Sequence, residues 1–293
     1  MHSGEILSLR CFVLLFALLG FCAPASAASP IWKISKGQQS FYLAGSIHML
    51  RHKDWPLPEA FDTTYAKTDM LVLEADIDKM YDLRIQLPFM ILPQGKTLRS
   101  ETDPQTYRKF EDFSARLKLN LDNMERFKPI AVALQLNVKL LYKIGFRRKG
   151  PDYHYSTLAH TQSRPIDYLE SVETQLEALA GTDPATENEI ISQGLESLDD
   201  EAKTKAQLFR LAQEWRTGEL PAAEKADAEM RAKFPRAYKR LLVDRNTAWL
   251  PKLDHYLETG ETEFVIVGYL HLVGRNGLLA QLRQRGYRVE QID

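Results

Sequence analysis

The feature that most constrains this fold is a strand–helix–strand pattern that occurs twice, once near each end of the chain. In the N-terminal part, apolar runs predict strands at residues 31–35 and 41–47 around a turn at Gly37. A short helix at 58–67 and a compact apolar run at 70–75 then follow. Residues 41–75 therefore read as one βαβ unit.

The C-terminal end repeats this arrangement. Residues 263–268 predict a strand, 276–285 a helix that is closed by Gly286, and 287–292 a last strand. The first strand of each unit ends in a Gly-x-x-His motif: Gly45-Ser46-Ile47-His48 and Gly268-Tyr269-Leu270-His271. A divergent internal repeat would explain this parallel placement.

The region between the two units is mostly helical, from about 103 to 248. Asp103-Pro104 and Asp183-Pro184 each predict a helix start, and helical spacing continues through 128–142, 196–216 and 222–242. One strand, at 165–169, interrupts the helices and ends in Glu170. We predict an α/β (α+β) fold: a central sheet assembled from the N- and C-terminal βαβ units plus the middle strand, with a large helical insertion or cap. Residues 28–293 are expected to form one domain.

The first 27 residues predict a cleavable signal peptide. Arg10 precedes an apolar run at 11–21, and Ala25-Ser26-Ala27 supplies the small-x-small pattern of a cleavage site. An uncleaved N-terminal anchor is the alternative. We therefore expect an exported protein, periplasmic or secreted. Cys11 and Cys22 both lie in this segment, so the mature chain is expected to use no disulfide and no thiolate ligand.

Charge restricts the partners only broadly. Lysine and arginine number 38 against 39 acidic residues, which gives a net charge of -1. The sequence contains no basic stripe interleaved with aromatics, so we do not expect a nucleic-acid partner. No second apolar run is long enough for a bilayer, so no membrane span is expected in the mature chain. A peptide or small-molecule substrate is compatible with this composition, and the oligomeric state stays open.

The residues that follow the predicted strands are the candidates for chemistry. In a mostly parallel sheet, ligands bind beyond the carboxyl ends of the strands. If the four strands are neighbours, His48, Glu74, Glu170 and His271 meet at that edge. Two imidazoles and two carboxylates suit Mn, Co, Zn or Fe, and a metal there would lower the pKa of a bound water with a spare carboxylate as base. The alternative is that each histidine is an ordinary loop or core residue.

The sequence resembles the TraB/GumN family, which is similar to the Tiki proteins, and the resemblance covers nearly all of the chain after residue 27 in order. The matching stretches share their residue types and order with the family. They are Ile31-Trp32-Lys33-Ile34, Tyr42 to His48, Trp55-Pro56-Leu57-Pro58, Leu71 to Asp76, Lys128-Pro129, Gly150-Pro151-Asp152, Tyr168 to Ser171, Trp215 to Gly218, Arg245-Asn246 with Trp249, and Val267 to Gly274 followed by Gly277-Leu278-Leu279. Tyr269 departs from the family, where small residues are usual, and is expected to narrow the space beside His271.

The resemblance implies a fold of two βαβ repeats with a shared site. The Tiki branch implies metal-dependent proteolysis with manganese or cobalt favoured, whereas erythromycin-esterase-like relatives hydrolyse an ester and ChaN-like relatives bind haem iron. Carried over by residue, His48, Glu74, Glu170 and His271 match the site motifs, and Arg245 matches an arginine that would hold a substrate carboxylate or an oxyanion. From sequence alone, a surface salt bridge is the simpler reading of Arg245, and a structural role at a helix start is the simpler reading of Asp152.

Three functions follow from these residues. The first is an exported metal-dependent hydrolase that cleaves a peptide or amide bond. The second is a metal-free, esterase-like hydrolase in which histidine and glutamate do acid–base work. The third is a module that binds haem iron or a partner protein without turnover. The remaining histidines fit a site less well: His52 falls in a predicted loop, and His154 and His160 are expected at the surface.

Overall fold

The structure is a computed structural model that describes residues 28–181 and 183–293. The predicted signal peptide, residues 1–27, lies outside the described residues. The described residues form eight strands, which are β1 Ile31–Lys36, β2 Gln39–Ser46, β3 Met49–Arg51, β4 Met70–Leu73, β5 Phe146–Lys149, β6 Ile166–Tyr168, β7 Glu263–Gly268 and β8 Arg288–Gln291. These strands confirm the two predicted βαβ units and the middle strand.

Six of the strands form one mixed sheet in the order β6-β4-β7-β2-β1-β8. Neighbouring strands from β6 to β2 are parallel, and only β1 runs against them, pairing antiparallel with both β2 and β8. Every residue of β7 is buried, as expected for a central parallel strand that is covered on both faces. The carboxyl ends of β6, β4, β7 and β2 consequently meet along one edge of the sheet.

Fourteen α-helices occur in the described residues. They are α1 Glu59–Lys67, α2 Ile77–Met80, α3 Leu83–Met90, α4 Leu98–Glu101, α5 Pro104–Arg116, α6 Pro129–Lys143, α7 Pro151–Thr161, α8 Val172–Ala180, α9 Pro184–Asp199, α10 Glu201–Arg216, α11 Pro221–Lys233, α12 Pro235–Tyr238, α13 Asp244–Tyr256 and α14 Leu278–Gln284. A π-helical turn, Lys239–Val243, joins α12 to α13. No helix of the described ranges is both long and apolar enough to cross a bilayer.

Two predicted helices have the wrong bounds. The helix expected at 196–216 is divided at Asp200, whose carboxylate accepts a hydrogen bond from the Lys203 N–H and so starts α10 anew. The helix expected at 222–242 ends at Lys233, because Pro235 has no N–H to continue it and begins α12 instead. Charge-rich helical spacing runs through both breaks, so periodicity alone could not locate them.

The sequence also gave no indication of a small second sheet. Strands β3 and β5 pair antiparallel, with Met49 opposite Lys149 and a register shift between Leu50 and Arg51. The β5 sequence, Phe-Arg-Arg-Lys, has no apolar alternation, so pairing at a separation of about a hundred residues is what makes it a strand. This ribbon extends directly from the end of β2.

The core has two main parts. One part lies on the sheet, where Phe61 of α1, Tyr155 of α7 and Trp215 of α10 pack with Phe264 of β7. The other lies among the inserted helices, around residues such as Leu136 of α6 and Ile191 of α9. The inserted helices therefore have an apolar interior of their own and also cover the sheet.

Candidate functional site

Four neighbouring strands deliver the predicted site residues to one edge of the sheet. Glu74 directly follows β4, and Glu170 lies two residues beyond β6. His48 lies two residues beyond β2, and His271 ends a short 3-10 helix after β7. The condition under which these residues meet, that their strands are neighbours, is therefore satisfied in the structure.

Arg245 lies at the centre of this group. Its guanidinium donates to Glu74 Oε2 at 2.6 Å and to Glu170 Oε1 at 2.5 and 2.9 Å. Its Nη1 lies 3.2 Å from His271 Nε2. Arg245 is 9% exposed. The simpler reading of Arg245 as a surface salt bridge is thus wrong, because α13 turns this arginine into the edge of the sheet.

Gly268 marks the space that the side chains share. A Cβ placed on this glycine would lie 3.2 Å from Glu74 Oε1, 3.4 Å from His271 Cδ2 and 3.5 Å from His48 Nε2. The Gly268 N–H also donates to Glu74 Oε1 at 2.6 Å. One methyl-sized volume in front of Gly268 therefore touches one carboxylate and both imidazoles.

Each imidazole is held from behind by an oxygen acceptor. His48 Nδ1 lies 2.8 Å from Asp152 Oδ2, and the other Asp152 oxygen accepts from Ser46 Oγ at 2.7 Å. His271 Nδ1 lies 2.6 Å from Asn246 Oδ1. In both cases Nδ1 is fixed at the back of the ring, and Nε2 is the nitrogen left for chemistry.

Asn246 determines the tautomer of His271. Its Nδ2 donates to the His271 carbonyl at 3.1 Å and to the Asn276 carbonyl at 2.9 Å, so its Oδ1 must be the atom that faces the ring. The hydrogen of the neutral His271 ring therefore lies on Nδ1, and Nε2 carries a lone pair. That lone pair points toward Arg245 and the carboxylates.

The pKa values of the two histidines shift in opposite directions. Burial lowers the pKa of His271 to about 3, so this ring is neutral at physiological pH. The Asp152 carboxylate raises the pKa of His48 above its ordinary value. The His48 side chain is 60% exposed, so water screens this attraction and makes the rise smaller than in a buried pair.

The two carboxylates also differ in pKa. Burial would raise the pKa of Glu74, but the Arg245 guanidinium and the two imidazoles outweigh it and lower this pKa to about 2. For Glu170, burial prevails over the Arg245 contacts and raises the pKa. Glu74 is therefore the more firmly ionised of the two and the one that faces the shared space.

Three residues of this site were missed or given other roles from sequence. Asp152 was read as a helix-start residue; it does lie in the first turn of α7, but its carboxylate holds His48. Trp249 is a buried core residue, and its Nε1 donates to Glu170 Oε2 at 3.1 Å while its ring lies against His271. Asn246 follows Arg245 on the same helix, and this adjacency was the one available signal.

The Tyr269 side chain contacts the first glycine of the other Gly-x-x-His motif. Its hydroxyl donates to the Glu219 carbonyl at 2.7 Å, and a Cβ on Gly45 would overlap its ring. The tyrosine therefore packs over the first glycine of the other motif. Leu270, between Tyr269 and His271, lines a cavity of about 520 Å³ among α6, α9, α10 and α11.

The other histidines lie apart from this group. His160 is exposed as expected. His52, which was expected in a loop, is exposed but lies in a short 3-10 helix, and His154, which was expected at the surface, is half-buried against Trp55. Within residues 28–181 and 183–293, no three His, Cys, Asp or Glu side chains stand at the spacing of a metal centre as they are placed here. His271 Nε2 and Glu74 Oε1, two of the candidate ligands, lie 3.9 Å apart.

Two comparisons with known proteins show what this chain is similar to. Residues 30–291 match the profile of the TraB/PrgY/gumN family. The chain is also 28% identical over 252 residues to the Escherichia coli (strain K12) protein described as "Uncharacterized protein YbaP". That alignment spans 84% of this chain and 89% of the relative.

Proposed function

The chain belongs to the TraB/PrgY/gumN family, and on that premise we propose that it is a metal-dependent hydrolase that cleaves a peptide or amide bond at the sheet edge around Gly268. The observation that supports this most is the shared volume in front of Gly268. Glu74 Oε1, the His271 ring and His48 Nε2 all lie within 3.5 Å of one position there. Side chains from three strand ends thus face one small volume, which supports a single reacting centre there.

The donor set suits a divalent cation. Glu74 and Glu170 share the Arg245 guanidinium, and a third carboxylate, Asp152, pairs with His48. When both imidazoles are deprotonated, as metal coordination requires, the three carboxylates exceed the one guanidinium by two negative charges. Both imidazoles have Nδ1 held by an oxygen and Nε2 directed inward, the usual support for metal-binding histidine. Mn, Co, Zn and Fe accept such nitrogen and oxygen donors.

His48, His271 and Glu74 are the residues that would hold the ion. Glu170, which we predicted as a fourth ligand, has both oxygens engaged by Arg245 and Trp249, so we give it the role of positioning Arg245. A bound ion would supply a water of lowered pKa and polarise a carbonyl oxygen.

Arg245 would stabilise the negative charge that develops on the substrate. Its guanidinium is fixed by Glu74 and Glu170 and by the face of Trp249, 4.8 Å from the ring centroid. Nη1 stands 3.2 Å from His271 Nε2, next to the shared volume. A donor that is already oriented needs no reorganisation as the oxyanion forms.

A metal-free hydrolase is the second candidate, and one observation favours it. Arg245 already binds both glutamates and approaches His271 Nε2, so a fixed cation of the protein occupies the place beside the carboxylates that a metal ion would otherwise take. In that case the exposed His48, paired with Asp152, would exchange protons with an ester substrate.

Chelation and metal replacement separate the two candidates. The purified protein is incubated with a peptide pool before and after exhaustive chelation, and Mn, Co, Zn or Fe is then restored. The metal-dependent proposal expects hydrolysis to disappear and return. Hydrolysis that survives chelation supports the metal-free alternative, and a Soret band on haem addition without any turnover supports a binding module.

Elemental analysis of three single variants completes the test. His48→Ala and His271→Ala are expected to lose the metal, whereas the exposed His255→Ala is the matched control and should retain it. Unchanged metal content in both site variants would end the proposal.

Export is part of the proposal. Residues 1–27 predict a cleavable signal, and N-terminal sequencing of the protein recovered from cells should begin at Ala28. Recovery of uncleaved chain attached to the membrane would instead support the N-terminal anchor.

A further inference from the structure

The small ribbon of β3 and β5 is joined to the candidate site at its base. Strand β3 begins at the residue after His48, and β5 ends three residues before Asp152. Met49 pairs with Lys149, and the Gly150 N–H donates to the His48 carbonyl at 2.8 Å. A ligand bound along this ribbon would therefore lie next to His48.

The ribbon carries positive charge that the protein does not neutralise. Arg147, Arg148 and Lys149 are all exposed. Arg51 on β3 is paired with Asp54, but in the part of the chain that the structure describes none of the three β5 cations forms a salt bridge. Two of the aromatic residues that contact these cations, Trp55 and Tyr81, come from distant segments, so the sequence showed no basic stripe with aromatics.

Aromatic rings hold two of these cations in place. The Arg148 guanidinium lies 5.3 Å from the centroid of Trp55, and Lys149 Nζ lies 3.1 Å from that of Tyr153 and 5.3 Å from that of Tyr81. Stacking on an aromatic ring orients a cation but does not neutralise it as a carboxylate would. An anionic ligand therefore meets charges that are already oriented.

The backbone of β5 also has a side for another strand. Within the described ranges, the small sheet contains β3 and β5 only. Leu50 and Arg51 of β3 are buried, whereas the three terminal residues of β5 are exposed, so the accessible edge belongs to β5. Such an edge presents main-chain N–H and C=O groups to which an extended peptide can add.

We propose that the outer edge of β5 binds an acidic, extended peptide segment, which adds as a third strand and leads its chain to His48. The main-chain edge favours a peptide over a nucleic acid, because alternating N–H and C=O groups pair with a peptide backbone and not with a sugar–phosphate chain. This inference rests on the proposed function for the fate of the peptide, since it names the substrate class of that site. The binding of the peptide to β5 does not depend on the proposed hydrolysis.

Fluorescence anisotropy tests the binding step without turnover. The probes are labelled peptides of about ten residues, the length of a long strand, that alternate Asp with Val or Lys with Val, and an Asp–Val version whose alternate backbone amides are N-methylated. At low salt the acidic peptide is expected to bind about tenfold or more tighter than the basic one. N-methylation should remove most of that affinity, because it removes main-chain donors.

A charge-reversed variant and a matched control locate the surface. Arg148→Glu with Lys149→Glu should weaken the acidic peptide about tenfold or more and improve the basic one. Lys67→Glu changes an exposed lysine at the end of α1, at the opposite edge of the sheet, and should leave both affinities unchanged. Circular dichroism checks that each variant folds. If the double variant does not fold, a loss of wild-type affinity for the acidic peptide as salt is added tests the same electrostatic attraction.

Several outcomes would overturn the inference. Equal affinity for acidic and basic peptides removes the charge argument, and equal affinity for the N-methylated probe removes the added strand. Competition by a single-stranded oligonucleotide of the same net charge, as effective as the unlabelled peptide, would assign the surface to nucleic acid. Absence of hydrolysis would count against the proposed function only, because anisotropy reads binding alone.

Discussion

Gly268→Ala is expected to remove the function of this site while leaving the fold in place. The backbone at Gly268 has φ -55° and ψ 138°, a conformation open to any L residue, so the added methyl group causes no backbone strain. That methyl group would stand 3.2 Å from Glu74 Oε1 and 3.5 Å from His48 Nε2. It therefore fills the volume that a metal ion or a substrate atom needs.

The effect on stability follows from the same distances. At 3.2 Å, Glu74 has to move by a few tenths of an ångström, while the other two contacts are ordinary van der Waals separations. Replacing glycine by alanine also reduces the entropy of the unfolded chain, which stabilises by about 0.4–1 kcal/mol at a compatible site. The two effects nearly cancel, and the free energy of unfolding should change by less than about 1 kcal/mol.

Gly45→Ala provides the contrast, because it changes the first glycine of the other Gly-x-x-His motif. A Cβ there overlaps the Tyr269 ring, which is buried and held by its bond to the Glu219 carbonyl. Overpacking of this kind costs about 1–3 kcal/mol. Gly45→Ala should therefore lose stability, whereas Gly268→Ala should lose metal binding and hydrolysis.

Urea unfolding followed by circular dichroism measures the first quantity for both variants, and isothermal titration with Mn²⁺ measures the second. A Gly268→Ala protein that binds metal and hydrolyses peptide like the wild type would refute the reasoning, because the volume in front of Gly268 would then not be the reacting centre. Unfolding of that variant by several kcal/mol would refute the account of its packing.

Arg245→Met removes the counter-charge of two buried carboxylates, so urea unfolding should show a loss of about 3–5 kcal/mol, partly recovered by adding Glu74→Gln and Glu170→Gln; full stability of Arg245→Met alone would contradict the buried network. Burial opposes ionisation of Asp167, but hydrogen bonds from Lys252, Tyr168 and Tyr256 prevail and lower its pKa. The stability that ionised Asp167 contributes to the fold is therefore fully present above the ordinary carboxyl pKa and is lost as pH falls through the lower pKa of the folded state. The difference in free energy of unfolding between wild type and Asp167→Asn should be constant near neutrality and shrink in acid. A difference that widens in acid would contradict this. Removing the metal should lower Tm, and Mn²⁺ restored to a hundred times its Kd should return about 2.7 kcal/mol, whereas a Tm indifferent to both treatments would count against a resident ion.

The sequence predicted the sheet and the arrangement of the strand ends because those features depend on local patterns. The apolar runs of β4 and β7 are recognisable without knowing any partner, and the residue after a parallel strand is placed by that strand alone. Glu74 and the two histidines could therefore be assigned to one edge before the fold was known. Whether these side chains lie next to one another depends on the order of the strands in the sheet, which the sequence only suggested.

What the sequence did not predict depends on contacts between distant segments. Asp152 is 104 residues from His48, and no local pattern distinguishes its carboxylate from that of a helix-start residue. Arg245 resembles the other charged residues of the inserted helices until α13 packs against the sheet. The β5 strand is polar throughout its exposed part and exists through pairing with β3. In each case the deciding energy is tertiary, and periodicity carries no information about it.

The most direct test of the central claim is an anomalous difference map from a crystal grown or soaked with Mn²⁺. The account predicts one peak in front of Gly268, within about 2.0–2.3 Å of Nε2 of both His48 and His271 and of an oxygen of Glu74. A map with the two imidazoles directed into separate surroundings, or with manganese bound elsewhere and none at this position, would contradict a shared metal site.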